Sequence, residues 1–321
     1  MEKSSHPRIY GLIGYPVKHS LSPVMHNAAF RALKINAEYR LFEVKPEELQ
    51  DFLLSDKPAP DIDGNLIPKS DIFGFNITIP HKVEARQILE KTFPLDNTRK
   101  QILENEYYVR LSGAVNTVKK DGNKLLYYNT DASGFLRSLE HDLKFDTKNK
   151  NVLLIGCGGA GRAVIASLSW DRRDRGKIYI NDISKEAITS AQAYFSQLAL
   201  QFEHFEHLKD KLQFIPTEEI SKVIKDCHLL VNATPIGMKG EDISVVNKSL
   251  LHENLNLYVY DIVYNKKGPT RLIKEAESLN LIHASGLDML LYQGADAFEL
   301  WIARQAPIDI MRQALMEEAQ K

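Results

Sequence analysis

The segment Asn151-Val-Leu-Leu-Ile-Gly156-Cys-Gly158-Gly159-Ala160-Gly161 constrains the fold more than any other stretch of the chain. The unbroken apolar run from Val152 to Ile155 predicts a strand buried on both faces. The chain passes directly from it into glycines spaced G-x-G-x-x-G and then into a helical run, Ala163 to Leu168. A second strand, Lys177 to Asn181, ends at Asp182, roughly 20 residues beyond the last glycine. Strand, glycine turn, helix and a second strand closed by an acid form the pattern of a dinucleotide-binding β-α-β unit. Gly156 suits the tight turn, Gly158 lets main-chain N–H groups approach a pyrophosphate, and Gly161 lets helix pack on strand. By itself the run also reads as a glycine loop in an α/β domain with no ligand. Further strands are predicted at Leu212 to Ile215, His228 to Ala233, Leu257 to Val263 and Leu281 to Ala284, with helices between. This half is expected to be doubly wound around a parallel sheet.

The first half also alternates strands and helices. Arg8 to Gly14 predicts a strand, and Ser22-Pro23 opens a helix whose apolar stripe is Met25, Ala28, Ala29, Ala32 and Leu33. A strand at Tyr39 to Val44, a helix at Pro46 to Leu54 and a strand at Ile72 to Thr78 follow. Ser55 to Asp71, rich in Pro, Asp and Gly and without periodicity, is expected to be a long surface loop. Ala114 to Val118 and Leu125 to Tyr128 flank the Asp121-Gly122-Asn123 turn as a hairpin. A helix from Asp131 to about Leu143 leads into polar Asp146 to Lys150, where composition suggests a domain boundary.

Length and charge narrow the functional classes. A chain of 321 residues is long enough for about two domains. A formal net charge of -1 leaves no basic field for a phosphate backbone, so nucleic acid is not an expected partner. Nowhere do about 18 uncharged apolar residues follow one another, and the start is short and polar, so a cytoplasmic protein away from the membrane is expected. Cys157 and Cys227 lie too far apart for a paired metal motif and are read as reduced thiols.

A dinucleotide domain beside a second α/β domain suggests hydride transfer, which at a ketone leaves an alkoxide needing a proton or a Lewis acid. No metal is expected: there is no H-E-x-x-H and no C-x-x-C, and His204 and His207 are read as part of a solvated, charged helix. In Gly74-Phe-Asn-Ile-Thr78-Ile-Pro80-His-Lys82, the strand ends at proline and Lys82 falls in the first helical turn. A cation there faces the positive end of the helix dipole and calls for a nearby anion. Asn129-Thr130-Asp131 offers one at another strand-to-helix junction. Lys82 reads equally as a solvated surface residue and Asp131 as a plain N-cap, and spacing leaves both readings open.

Seven blocks, in order along nearly the whole chain, resemble the shikimate dehydrogenase family. They are Ser20-Leu-Ser22-Pro-Val-Met-His26-Asn27, the Gly74 to Lys82 run, and Gly113-Ala-Val-Asn116-Thr117 with Asn129-Thr130-Asp131. The glycine turn, Asn232-Ala-Thr234-Pro-Ile-Gly237-Met238, Asp261 to Tyr264, and Gly286 to Ala295 complete the set. The resemblance implies reversible NAD(P)-dependent oxidation of the C3 hydroxyl of shikimate to 3-dehydroshikimate. It implies Lys82 and Asp131 as the catalytic pair, and Ser20, Ser22 and Tyr264 around the substrate carboxylate. Thr78, Lys82, Asn116, Asp131 and Gln293 would hold the ring hydroxyls. Cofactor contacts would fall on Gly156, Gly158, Gly159, Ala160, Gly161, Asn181, Asp182, Thr234, Ile262 and Gly286. Outside the resemblance, Ser22 reads as an N-cap, Asn116 as a hairpin residue and Gln293 as a surface position.

The implied architecture is a discontinuous substrate domain, residues 1–130 and 286–321, around a Rossmann-type dinucleotide domain, residues 131–285, in a monomer or homodimer. The chain departs from the family pattern in three regions. Segments 55–71 and 93–111 are long, and Asp288 stands where a small residue is common. Where NADP-using relatives carry Asn-Arg-Thr and a further basic residue, this chain has Asn181-Asp182-Ile183-Ser184-Lys185-Glu186. NAD is therefore expected over NADP. A quinate or dual-specificity dehydrogenase is the alternative, with the paired serines favouring shikimate. A non-catalytic relative should lack the Lys82/Asp131 pair.

Overall fold

The structure, a computed structural model, describes residues 6–96, 104–171, 174–239, 243–264 and 268–321. Of the long segment 93–111, residues 97–103 lie outside the described residues. The first elements are β1 (Arg8–Gly14), α1 (Ser22–Ala32), β2 (Ala37–Glu43), α2 (Leu49–Leu54), β3 (Ala59–Pro60), β4 (Leu66–Ile67), β5 (Ile72–Ile77) and α3 (Lys82–Thr92). Next come α4 (Glu104–Ser112), β6 (Thr117–Asp121), β7 (Lys124–Tyr128), α5 (Thr130–His141), β8 (Val152–Ile155), α6 (Gly159–Leu168), β9 (Ile178–Asn181) and α7 (Lys185–Gln201). The remainder is α8 (Leu208–Lys211), β10 (Leu212–Phe214), α9 (Ile220–Val223), β11 (Leu229–Asn232), α10 (Lys248–His252), β12 (Tyr258–Asp261), α11 (Arg271–Ser278), β13 (His283–Ser285), α12 (Gly286–Ile302) and α13 (Ile308–Ala319). The chain is α/β, as expected, and forms two compact units: Met1–Gly134 with Leu290–Lys321, and Phe135–Met289.

In the first unit the sheet order is β2-β1-β5-β6-β7. The three strands fed by helical crossovers are parallel, and β6 and β7 add on antiparallel through a tight turn in which Gly122 takes a left-handed conformation (φ +57°). Ile13, Phe42, Phe75 and Ile77 from the sheet bury against Leu49 of α2 and Ala85 and Leu89 of α3. The C-terminal helices belong to this unit. Trp301 donates its indole N–H to the Val118 carbonyl (2.9 Å), and a Cβ on Gly74 would lie 2.5 Å from that nitrogen, so only glycine lets the indole lie on β5.

The segment expected to be a long surface loop, 55–71, carries the β3–β4 hairpin and a short 3₁₀ turn. Asp61 organises it: its Oδ1 accepts the main-chain N–H groups of Asp63 (3.0 Å) and Asn65 (2.8 Å), and its Oδ2 accepts Arg40 Nη1 (2.6 Å). Ile62 N–H donates to the Leu41 carbonyl (3.0 Å), which fastens the hairpin to edge strand β2.

The second unit holds a six-stranded sheet, β10-β9-β8-β11-β12-β13, with every pairing parallel. Strand order reverses between β8 and β11, so the crevice beyond their carboxyl ends is the place such a sheet offers a ligand. Its core includes Leu153, Leu230 and Val259 from the strands with Leu272 and Ala276 from α11. The charged helix expected around His204 and His207 is broken into a 3₁₀ turn, Glu203–Phe205, and the single turn of α8. The half-buried His207 ring bonds to the Ser169 carbonyl at 3.0 Å. Among the described residues no helix is long and apolar enough to cross a membrane.

Candidate active site

Lys82 is the first residue of α3, and its main-chain carbonyl accepts the Val115 N–H (2.9 Å), which pins the helix start to the segment leading into β6. Its ammonium donates to Asp131 Oδ2 at 2.7 Å, with the two side chains 18% and 10% exposed. The anion that a cation in this position requires is therefore in direct contact with it. Asp131 is not the N-cap of α5. Asn129 fills that role, its Oδ1 accepting the Ala132 N–H (3.2 Å), which leaves the Asp131 carboxylate free to reach Lys82.

Asn116 holds the other carboxylate oxygen. Its Nδ2 donates to Asp131 Oδ1 (2.9 Å) and Thr130 Oγ1 (3.0 Å), and its Oδ1 accepts the Thr130 main-chain N–H (2.7 Å). An obligate donor at one end and a carboxylate at the other fix the orientation of this amide. Behind it, Asn76 Nδ2 donates to Thr117 Oγ1 (2.9 Å) and to the Asn116 carbonyl (3.3 Å), and Thr117 Oγ1 lies 2.9 Å from Thr130 Oγ1. The Tyr39 phenol donates to Asn76 Oδ1 (2.8 Å). Burial holds that phenol protonated, its pKa far above the ordinary range. A continuous buried polar chain thus runs from Tyr39 through Asn76, Thr117 and Asn116 to Asp131 and Lys82.

Several expected site residues meet in this unit. Ser20 Oγ accepts the Ser22 N–H (3.2 Å), and Leu21, which makes no side-chain cap, occupies the N-cap of α1, so Ser22 is not a cap. Gln293 lies buried on α12, its Oε1 3.4 Å from Asn116 Nδ2, not on the surface. A Cβ on Gly134 would lie 2.5 Å from the Gln293 main-chain nitrogen, so glycine brings α5 and α12 together here. Thr78 packs its methyl where a Cβ on Gly14 would come within 2.4 Å. Tyr39, Asn76, Thr117 and Thr130 received no role from sequence reasoning. The signal that points to Asn76 is an amide in a strand whose flanking positions are all apolar.

In the second unit the glycine turn behaves as its spacing requires. Gly156 has φ +100°, a Cβ on Gly161 would lie 2.1 Å from the Gly156 carbonyl oxygen, and Gly158 faces open space at the start of α6. Asp182 closes the turn: its Oδ2 accepts the Cys157 N–H (2.9 Å) and its Oδ1 accepts the Ser184 N–H (2.9 Å). Asn181 donates from Nδ2 to the Ile215 carbonyl (3.1 Å). A Cβ on Gly156 would lie 3.0 Å from Thr234 Cγ2, and one on Gly286 would lie 1.8 Å from the Ile262 carbonyl oxygen. The expected cofactor residues thus gather at the carboxyl ends of β8, β9, β11, β12 and β13. An open glycine cradle at a helix N-terminus, with an acid at the end of the second strand, fits a dinucleotide. Tyr264 belongs to this unit, and burial pushes its phenol up to about 12. Cys157 and Cys227 are buried free thiols, each pushed up by burial to about 12. Among the described residues no cluster of three or more His, Cys, Asp or Glu side chains is arranged to hold a metal.

Residues 12–118 match the model of the shikimate dehydrogenase substrate binding domain, and residues 286–316 match that of the shikimate 5'-dehydrogenase C-terminal domain. A shikimate dehydrogenase (NADP(+)) of Methanopyrus kandleri is 37% identical over 311 residues, covering 96% of this chain and 95% of that protein. The chain belongs to the shikimate dehydrogenase family. A relative of the same name from Methanothermobacter thermautotrophicus is 38% identical, with 96% of this chain and 95% of that protein covered. Among solved structures, a shikimate dehydrogenase in complex with NADP+ superposes with a TM-score of 0.78 at 33% identity, covering 100% of this chain and 98% of that one. The Listeria monocytogenes shikimate 5-dehydrogenase, in complex with shikimate and NAD, gives 0.77 at 29% identity, covering 98% of each chain. For a shikimate dehydrogenase family member, the Lys82–Asp131 contact is the arrangement the sequence motifs anticipate.

Proposed function

We propose that this protein interconverts shikimate and 3-dehydroshikimate by reversible hydride transfer at C3. The first unit would bind the substrate and the second the dinucleotide. The observation that carries this reading is the Lys82–Asp131 pair at 2.7 Å, held by Asn116, in a chain of this family. A bound nicotinamide supplies the hydride donor for reduction and the acceptor for oxidation. In reduction, the C3 carbonyl oxygen gains a proton from Lys82 Nζ as the hydride reaches carbon. In oxidation the same nitrogen, once deprotonated, takes the hydroxyl proton. Asp131 keeps the ammonium compensated against the helix dipole. The hydroxyl proton of Ser20 is available to the substrate carboxylate, because Ser20 uses its oxygen lone pair for the Ser22 N–H.

For the cofactor we infer a preference for NAD over NADP. Main-chain N–H groups hold both oxygens of Asp182 at the glycine turn, so the carboxylate would meet the adenosine ribose hydroxyls. A 2′-phosphate about 5 Å away would be repelled by roughly 3 kcal/mol at an effective dielectric near 20. The nearby cation Arg162 donates from Nη2 to Ser190 Oγ (3.2 Å), and its guanidinium lies over the Tyr194 ring. We take the enzyme to act in the cytoplasm as a monomer or homodimer.

Steady-state kinetics with shikimate and quinate, each against NAD and NADP, test both readings. The specificity constant should favour shikimate over quinate and NAD over NADP, the latter by at least roughly tenfold. Asp182→Arg with Glu186→Arg should erase or reverse the cofactor preference, at some loss with either cofactor because the Cys157 N–H loses its acceptor. A wild-type ratio favouring NADP sinks the cofactor inference and leaves the dehydrogenase standing. No turnover of shikimate with either cofactor sinks the dehydrogenase.

A further inference from the structure

Asp261, the last residue of β12, is fully buried and has no part in proton transfer at Lys82. Its Oδ1 accepts from Asn232 Nδ2 at the end of β11 (2.8 Å) and from the Val263 N–H (3.0 Å). Its Oδ2 accepts from Thr270 Oγ1 (2.5 Å), and Thr270 is the N-cap of α11, its oxygen taking the Ile273 N–H. Asn232 continues the chain: its Oδ1 accepts from both the main-chain N–H (3.0 Å) and the hydroxyl (2.7 Å) of Thr234. Its second amide proton goes to the Ile236 carbonyl (3.3 Å). The Thr270 methyl closes the group from the far side, 3.1 Å from where a Cβ on Gly237 would stand.

One carboxylate therefore ties together the loop after β11, the loop after β12 and the cap of α11. The first loop carries Thr234 and the second carries Ile262 and Tyr264. Burying a carboxylate costs several kcal/mol, so this acid weighs against the fold it sits in unless its hydrogen bonds offset that cost. What those bonds accomplish locally is to fix two loops, at the carboxyl ends of neighbouring strands, in one relative position.

We propose that Asp261 is a positioning residue for dinucleotide binding, locking the Thr234 loop to the Ile262–Tyr264 loop so that both meet the cofactor as a single preformed wall. This rests on the reading of the second unit as the dinucleotide site. The carboxylate acts as a shared acceptor, so an amide of the same shape should largely replace it. Asn at this position keeps one oxygen for Asn232 and Val263 and offers its NH₂ to Thr270, whose hydroxyl turns to accept. Thr270→Val removes one arm and keeps the shape of the side chain.

The test is the dissociation constant for NADH and NADPH, read by nucleotide fluorescence without shikimate, alongside the thermal midpoint and the Michaelis constant for shikimate. Thr270→Val should weaken binding of the preferred dinucleotide roughly tenfold, and Asp261→Asn should stay within about threefold of wild type. Asp261→Val should lose more than either where it folds. Wild-type dinucleotide affinity in Thr270→Val, with only the thermal midpoint lowered, would overturn the proposal and leave a purely structural knot. Because affinity is read without shikimate, a wild type that binds NADH but does not oxidise shikimate would sink the activity reading alone.

Discussion

Asp131→Asn is the perturbation that most directly tests the catalytic pair. Asp131 receives donors on both oxygens, Lys82 Nζ at 2.7 Å and Asn116 Nδ2 at 2.9 Å. An asparagine can face one of them with its oxygen, so its NH₂ must face the other donor. The Asn116 amide cannot turn to relieve this, because the Thr130 N–H already holds its oxygen. At 2.7 Å and an effective dielectric near 20, the lost attraction to Lys82 is at most about 6 kcal/mol. Breaking a buried pair from one side usually costs about 3 to 5 kcal/mol, and expressed in the transition state that corresponds to a turnover loss of roughly two to four orders of magnitude. The Michaelis constant should also rise, since the same carboxylate is expected to hold a ring hydroxyl. The discriminating control is the exchange Asp131→Asn with Asn116→Asp. Donor and acceptor then match again, the carboxylate now at position 116 accepting from Thr130 and from the amide now at position 131, but the charge no longer touches Lys82. The thermal midpoint should recover most of its loss while turnover stays at least roughly a hundredfold below wild type. Recovery of turnover to within about tenfold of wild type in the exchanged protein would refute the requirement for an anion in contact with Lys82.

Ser20→Ala or Ser22→Ala removes one hydrogen bond to a charged group, about 1.5 to 3 kcal/mol, so the Michaelis constant for shikimate should rise roughly ten- to hundredfold with turnover less affected. Unchanged constants in both variants would place the carboxylate elsewhere. Gly134→Ala puts a methyl 2.5 Å from the Gln293 main chain, and a fall of several degrees in thermal midpoint with a raised Michaelis constant is expected; wild-type values for both would show that the helices part freely. Burial raises the Asp261 carboxyl to about 6, above its unfolded value near 4, so its contribution to stability is full below about pH 4 and lost as pH rises through about 6. The stability of Asp261→Asn relative to wild type should therefore rise by about 2 kcal/mol between pH 4 and pH 7, measured by urea unfolding, and a pH-independent difference would show that the acid does not titrate in this window.

What the sequence discloses is what lies close together along it. The glycine turn is legible because its three roles fall within a few consecutive residues, and each role excludes a Cβ for its own geometric reason. Lys82 and Asp131 are legible as a pair only through chemistry, since each stands at a strand-to-helix junction and the cation needs an anion. The residues behind them are not. Tyr39 and Asn76 are 37 positions apart, and Asn76 and Thr117 are 41 apart. No periodicity links them, and each taken singly is a polar residue in a strand. The hairpin at 59–67 is not legible, because two-residue strands are too short to alternate. The capping role of Asn129 was hidden because Asp131, two positions on, is an equally good candidate on side-chain chemistry alone.

The buried amide and hydroxyl chain has a consequence for how this protein can change over generations. Both amide protons of Asn116 and of Asn76, and the phenolic proton of Tyr39, are already engaged. A single replacement there strands a neighbour, at about 1 to 3 kcal/mol, before any new ligand group has been gained. Exchange at these positions is therefore easier in compensating pairs than singly. Ser20 stands outside the chain, with a hydroxyl proton not committed to it. A lineage exploring other ring acids would find its single-step routes at such positions on the rim, while the wall behind Asp131 stays as it is.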